Sequence, residues 1–424
     1  MTTGSSSASP ALVRRLGTVD AVSIGLGSMI GAGIFASFAP AAAAAGAGLL
    51  IGLAIAAVVA FCNATSSAQL AAEHPASGGT YVYGREHLGE WPGFVAGWSF
   101  VIGKTASCAA MALTFASYAV PESWQKPVAV LAVLGLVAVN YFGITRTAQL
   151  TRIIVIFVLA VLALIVVSGL AGLATDAEPL RDLTANVGAG GWYGVLQSAG
   201  LLFFAFAGYA RIATLGEEVK NPSVTIPRAI LLALSGTLVV YAVVAVVALL
   251  TLGPQQLASA AAPLVDVVTA SGWFWATPIV RVGAAIAALG ALLALITGIG
   301  RTSLAMARNH DLPHWFAAVH PQFRVPHRAE LALGLAVCVL VLTVDVRAVI
   351  GFSSFGVLLY YLVANVAAFT QTSRRYPRAL QVLGGLGCVA LVVTLPPGAV
   401  LAGVIVVFVG AIYRAIRLHL AGRR

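Results

Sequence analysis

The chain has 424 residues, of which 60% are hydrophobic and only 9% charged, whereas soluble domains carry about a quarter charged residues. So much apolar surface excludes a water-soluble protein and makes the bilayer the solvent. The formal net charge of +10 does not point to nucleic acid, because the cations sit in short segments between apolar runs, as a membrane topology signal does.

A spanning helix needs about 20 mostly apolar residues. Twelve such runs are predicted, at 20–44, 47–71, 92–119, 127–143, 151–174, 194–215, 228–252, 276–306, 330–345, 348–370, 379–395 and 398–416. Pro127, Pro377 and Pro396-Pro397-Gly398 read as breakers between runs. The segments 72–91 and 253–275 exceed simple turns and are expected to hold short surface helices. Arg14, Arg15, Arg146, Arg152, Lys220, Arg228, Arg308, Arg374, Arg375, Arg378 and Arg424 fall on one side. Lys126, Arg181, Arg281 and Arg347 fall on the other. The asymmetry predicts that both termini are cytoplasmic, in a multi-pass protein of the cell membrane. Residues 1–17 read as a flexible cytoplasmic tail with no signal peptide, and Cys62, Cys108, Cys338 and Cys388 as small core hydrophobes without metal-type spacing.

The first run contains Gly25, Gly27, Gly31 and Gly33, each of which weakens a helix by up to about 1 kcal/mol relative to Ala. Gly27 and Gly31 fit a small-residue packing groove. The alternative is an unwound midpoint whose free N–H groups open a second half-helix and bind a carboxylate. The sixth run sets Gly208 and small alanines among Phe203, Phe204, Phe206 and Tyr209. Interrupted helices at matching places in two halves of a chain point to a transport site, since irregular backbone at that depth is tolerated only where it lines a cavity.

Intramembrane charge usually marks a pathway or a proton site. Lys104 in the third run is either a snorkelling lysine near the cytoplasmic end or a buried amine that alternates between protonated and neutral forms. Gly103-Lys104-Thr105 lacks the glycine spacing of a nucleotide loop, so no nucleotide site is expected. Arg211, past the sixth-run break, reads as an inner-path cation or a helix-end cation, and Arg301 as structural. Glu217 and Glu218 could gate the inner side with Arg85 or Arg228, or be a solvated pair. Thr297 is a weak candidate for a hydroxyl facing the first-run break, or a hydroxyl bonded to its own helix. No carboxylate is expected at mid-membrane, and the histidines are read as scattered over cytoplasmic segments, without a metal-ligand motif.

Four stretches carry a family resemblance: Gly27 to Phe35, Glu73 to Tyr83 with Arg85, Phe203 to Arg211 running on to Arg228, and Arg301 to Pro313. They resemble the amino acid–polyamine–organocation superfamily. The resemblance implies an all-α membrane protein with a LeuT-like five-plus-five inverted repeat, the first and sixth helices unwound at mid-membrane, and two further C-terminal helices. The transporter core would be 18–370, with repeats 18–175 and 190–370, followed by 371–424. It further implies that the N–H groups of Gly31, Ala32 and Gly33 hold a substrate carboxylate. The amino group would meet carbonyls at Ala205, Phe206 and Ala207, with Met29 bordering the pocket and Phe204 closing over it. Some relatives carry a lysine in the fifth helix and an acidic residue in the sixth, where this chain aligns Val158 and Ala210; both differences leave the coupling open. The implied function is secondary active transport of amino acids, with proton symport as the coupling. The alternatives are an exchanger or a polyamine transporter. A membrane-embedded enzyme and a channel are the competing classes, and neither has a motif here. The partners expected are a small-molecule substrate, protons and the bilayer, with no cofactor, metal, nucleic acid or obligate protein partner.

Overall fold

A computed structural model describes residues 15–74, 78–143, 148–174, 190–216 and 218–421, and of these all side chains except those of Ala32 and Ala421. Arg14, Arg146, Arg181, Glu217 and Arg424 therefore lie outside the described residues, as does most of the expected N-terminal tail. The described residues form helices and no sheet; one isolated bridge pairs Leu16 with Val219.

Among the described residues, ten helical stretches are long and apolar enough to cross a membrane. In chain order, α1 (Thr18–Met29), α2 (Ala32–Ala36) and α3 (Phe38–Ala45) fill the first predicted run. Then come α4 (Leu49–Glu73), α5 (Thr80–Leu88), α6 (Glu90–Ala119), α7 (Glu122–Tyr141) and α8 (Ala148–Leu173). The second half holds α9 (Gly191–Phe206), α10 (Ala210–Ala213), α11 (Pro222–Ser259), α12 (Pro263–Ala270), α13 (Thr277–Arg308), α14 (His327–Thr343), α15 (Val346–Thr370), α16 (Arg378–Thr394) and α17 (Pro397–Ala421).

Two of the expected runs, α14 and α16, are only 17 residues each. That is about 25 Å of helix at 1.5 Å per residue, short of a hydrocarbon core about 30 Å thick. Pro127, expected as a breaker, lies inside α7. The long α11 contains a non-helical residue, Gly253 (φ 71°, ψ 164°), which ends the apolar part where the sequence pattern ends it. Short helices α5 and α12 occupy the two longer connections, but they are packed into the bundle rather than lying on its surface, with Tyr81 and Tyr83 of α5 and Leu264 and Val267 of α12 buried.

Local chemistry sets several boundaries. Asp345 caps α15, its carboxylate accepting from the N–H groups of Arg347 and Ala348 at 2.8 and 2.9 Å. Pro222 opens α11 at a position where a missing N–H costs nothing. Outward faces stay apolar: Leu401, Phe408, Ile412 and Ile416 on α17 are all more than half exposed, as lipid-facing positions are. All four cysteines are free and buried.

The core is a set of helices in close backbone contact around α6. A Cβ on Gly103 would stand 3.1 Å from the Cα of Gly356, so α6 and α15 touch backbone to backbone. A turn later, the Ser107 and Ser353 hydroxyls share a 2.7 Å hydrogen bond. This crossing fixes the height and rotation of Lys104. A second polar contact ties α4 to α15, with Asn365 Nδ2 donating to Asn63 Oδ1 at 2.6 Å and Ser66 donating to Asn365 Oδ1 at 2.7 Å.

Two charged-group expectations are corrected. Arg85 pairs with Asp311 at 3.0 Å and with Glu90 at 3.5 Å, not with Glu218. Glu218, next to the bridge between Val219 and Leu16, instead reaches Arg301 at 3.5 Å. Glu330, which the sequence did not single out, is buried at 1% exposure beneath Gly300 of α13. The histidines are not all scattered either. His74 at the end of α4 and His87 in α5 come together, with their Nε2 atoms 3.0 Å apart.

Candidate functional site

The first span breaks at Ile30 and Gly31. Ile30 takes φ −76°, ψ 20° and Gly31 φ −73°, ψ −134°, so α1 ends at Met29 and a new helix starts at Ala32. Ser37 keeps helical dihedrals (φ −84°, ψ −20°), so α2 runs on into α3 as one half-helix. The sixth span behaves differently. It tightens into a 3₁₀ turn over Ala207–Tyr209 and then resumes as α10. Its backbone stays near helical values rather than unwinding, because Gly208 packs face-on against the first-span break. A Cβ built on Gly208 would meet the Ser28 carbonyl oxygen at 2.3 Å and the Met29 nitrogen at 2.7 Å. On the far side of the break, a Cβ on Gly33 would meet the Cα of Ala205 at 2.7 Å. Glycine at both positions lets two broken helices lie in contact.

Tyr241 of α11 ties the two breaks together. Its hydroxyl oxygen lies 2.5 Å from the Met29 carbonyl and 3.1 Å from the Ala205 carbonyl, and the side chain is 1% exposed. Sequence analysis missed this residue, since a single tyrosine in an apolar run carries no signal.

Beside the crossing lies a cavity of about 460 Å³. Ser28 from the end of α1, Phe204, Ala207 and Gly208 from the sixth span, and Lys104 and Met111 from α6 form its inner part. Arg301 and Arg308 of α13, both exposed, form its rim. Toward the other end of α6 the path is closed. Phe35 and Tyr118 are buried edge to face at 5.5 Å, and the Tyr118 hydroxyl donates to the Phe35 carbonyl at 3.1 Å. A smaller cavity of about 210 Å³ lies on the other side of Ser28, lined by Gly27, Thr297, Glu218, Arg211 and Arg301 among others.

Lys104 sits near the middle of α6 and is 6% exposed, so it does not snorkel to an interface. Its ammonium donates to the carbonyl of Ala207 at 3.3 Å, and the Tyr361 hydroxyl donates to the same oxygen at 3.4 Å. An intramembrane amine thus rests on the first peptide of the 3₁₀ turn. Arg211 borders both cavities and donates to the Thr214 hydroxyl at 3.2 Å. Arg301, expected to be structural, also borders both. The Thr297 hydroxyl faces the smaller cavity but is occupied, lying 3.0 Å from Asn140 Oδ1 and 3.1 Å from the Leu293 carbonyl.

Of the residues expected around the substrate, Phe204 and Ala207 line the large cavity. Gly31 borders a third, much smaller space. Met29, Gly33, Ala205 and Phe206 are buried at the contact between the breaks rather than on the cavity wall. The Gly33–Ala205 contact closes the gap in this conformation.

Two interrupted spans thus meet beside a largely apolar cavity that holds one buried amine, and comparison with known proteins supplies the family. The profile of the family described as amino acid permease matches residues 16–416. The chain belongs to that family, within the amino acid–polyamine–organocation superfamily. The permease is 59% identical over 408 residues to an uncharacterized transporter of Mycobacterium tuberculosis (strain ATCC 25618 / H37Rv), covering 96% of this chain and 92% of the relative. It is 26% identical to the branched-chain amino acid permease BcaP of Bacillus subtilis (strain 168), covering 88% of this chain and 84% of that protein. It is also similar to the chloroplastic cationic amino acid transporter 7 of Arabidopsis thaliana, at 28% identity over 86% of this chain and 66% of the relative. The permease is a multi-pass membrane transporter.

Proposed function

We propose that this permease is a secondary active carrier that moves an amino acid across the cell membrane by alternating access, with a proton as the coupling ion and Lys104 as its carrier. One observation carries the reading: the Lys104 ammonium lies 3.3 Å from the Ala207 carbonyl, inside a cavity whose wall is built from both interrupted spans. The half-helix beginning at Ala32 presents its positive end to the break, and the carbonyls of the 3₁₀ turn are negative. A zwitterion bridges such a pair, its carboxylate on the N–H groups of Gly31, Ala32 and Gly33 and its ammonium on Ala205, Phe206 or Ala207. Separation of α2 from α9 at Gly33 and Ala205 would open that gap. Met29 would border the opened pocket and Phe204 would close over the substrate.

Under this reading all twelve helical runs cross the bilayer, α14 and α16 included, as two inverted five-helix halves followed by α16 and α17. The termini are cytoplasmic, and the open rim at Arg301 and Arg308 faces inward. Phe35 and Tyr118 form the outer seal. Arg211 and Glu217 are the remaining candidates for gating; Thr297, with its hydroxyl already bonded, is a weaker one.

A second reading, exchange of amino acid for a proton, is favoured by the same distance. Lys104 fills the carbonyl that a substrate ammonium would use, so the two cations compete, and a competing proton travels opposite to its substrate. Uptake of radiolabelled amino acids into proteoliposomes, with acid either outside or inside, tests both. Symport predicts stimulation by acid on the substrate side, and exchange by acid on the far side. Indifference to either gradient would remove the proton from the mechanism. Absence of saturable uptake for every amino acid and amine tried would overturn the carrier reading itself.

A further inference from the structure

Glu73 ends α4, His74 caps it, and His87 lies in the last turn of α5. The two imidazole Nε2 atoms lie 3.0 Å apart, and Glu73 Oε1 lies 3.9 Å from His74 Nε2. All three ligand atoms fall within 4.8 Å of one another. We propose that Glu73, His74 and His87 form a binding site for a divalent transition-metal ion of the zinc class.

A tetrahedral ion with metal–nitrogen bonds of about 2.0–2.1 Å holds two ligand nitrogens about 3.3 Å apart. The imidazoles need to separate by a few tenths of an ångström, and the carboxylate to close by about half an ångström on His74 and by up to about 1.5 Å on His87, which rotation of the exposed Glu73 side chain can supply. Two nitrogens and one carboxylate oxygen suit zinc and its neighbours, not magnesium or calcium, which take oxygen ligands. The outer partner is in place too. Gln371 donates to Glu73 Oε2, which leaves Oε1 toward the imidazoles and holds the carboxylate in a ligating orientation. The site is reachable, with the His74 and Glu73 side chains 28% and 40% exposed. The competing arrangement is a plain hydrogen bond between two neutral imidazoles, one Nε2–H donating to the other ring's lone pair.

An ion here would fasten α5 to α4 beside the large cavity. Gly78, which lines the cavity, begins the turn into α5, and the Thr80 N–H donates to the Tyr360 hydroxyl at 3.0 Å. The site is independent of the transport mechanism, so it stands or falls separately.

The test is Co²⁺ and Zn²⁺ titration of the full chain in detergent, without a histidine tag, read by calorimetry and by the visible Co²⁺ absorption. Wild type is expected to bind one equivalent with an intense four-coordinate band. H74A/H87A, which controls for the other histidines, should lose that band and at least about tenfold in affinity. If the double variant unfolds, E73Q provides the second readout: it keeps both imidazoles and should weaken binding while the Co²⁺ band shifts. Equal binding by wild type and the variants, or no saturable binding by wild type, overturns the site and leaves the imidazole hydrogen bond in its place.

Discussion

Replacing Lys104 by Met separates a functional charge from a structural one. The ammonium is almost fully enclosed, at 6% exposure, and it donates a hydrogen bond to the Ala207 carbonyl at 3.3 Å. Keeping an ion there costs several kcal/mol of lost hydration. A hydrogen bond from a charged donor returns about 1.5–3 kcal/mol. The carbonyl is not orphaned by the change, because the Tyr361 hydroxyl reaches the same oxygen at 3.4 Å. Methionine fills nearly the same length with apolar atoms. Lys104→Met should therefore leave the fold as stable as wild type or more stable by about 1–4 kcal/mol, the range seen when buried ionic groups become apolar. Transport should be lost or uncoupled from pH. Thermal unfolding in detergent and proteoliposome uptake at two pH gradients measure the two effects on one preparation. A marked drop in unfolding temperature would make Lys104 a structural cation. A stable variant with normal pH-dependent uptake would remove it from coupling.

Gly208→Ala puts a methyl group 2.3 Å from the Ser28 carbonyl oxygen, where only backbone could yield. It should cost at least about 1–3 kcal/mol and abolish uptake. Gly236→Ala is the control: its Cβ meets only the Leu26 side chain, at 3.6 Å, and helix propensity predicts a gain of about 0.5–1 kcal/mol. Asp311 accepts from Tyr81 at 2.7 Å and pairs with Arg85 and Arg414 at 3.0 and 2.8 Å. Arg414 is 3% exposed and keeps Glu90 at 3.2 Å, so Asp311→Ala removes one of its two carboxylates and should lower stability by about 1.5–3 kcal/mol, read by thermal unfolding. Asp266 of α12 has its carboxyl raised above the ordinary 3.8 by burial, against the pull of Arg281. The neutral form is thus preferred in the folded state, and this contribution to stability is full below 3.8 and lost as pH rises through the raised value. Asp266→Asn should flatten that decline in unfolding temperatures measured upward from pH 4, and an unchanged slope would assign it to another group.

The broken first span was legible because glycine acts locally: Gly31 needs no distant partner to weaken a helix, and α1 does end at Met29. Lys104 was legible for a similar reason, since a lone cation in an apolar run draws notice without any contact map. The sixth span was only half legible. Its small residues marked a weak point, but whether it unwinds or tightens into a 3₁₀ turn depends on Ser28 and Met29 packing against Gly208. Partner choice was not legible at all. Glu218 and Arg301, or Asp311 and Arg414, are far apart in the chain, and nothing local distinguishes them from other loop charges. Tyr241 escaped notice in the same way, its meaning resting on two carbonyls from two other helices.

Composition and hydropathy alone decided that the chain lives in a bilayer as a bundle of helices, because in hydrocarbon every peptide group must be bonded within its own segment. The motif order pointed to the superfamily as well. Tertiary structure decided which breaks touch, which carbonyl Lys104 holds, and which end of the cavity is open. Those depend on helix crossings such as that of Gly103 on Gly356, where a few tenths of an ångström of backbone approach select the neighbours.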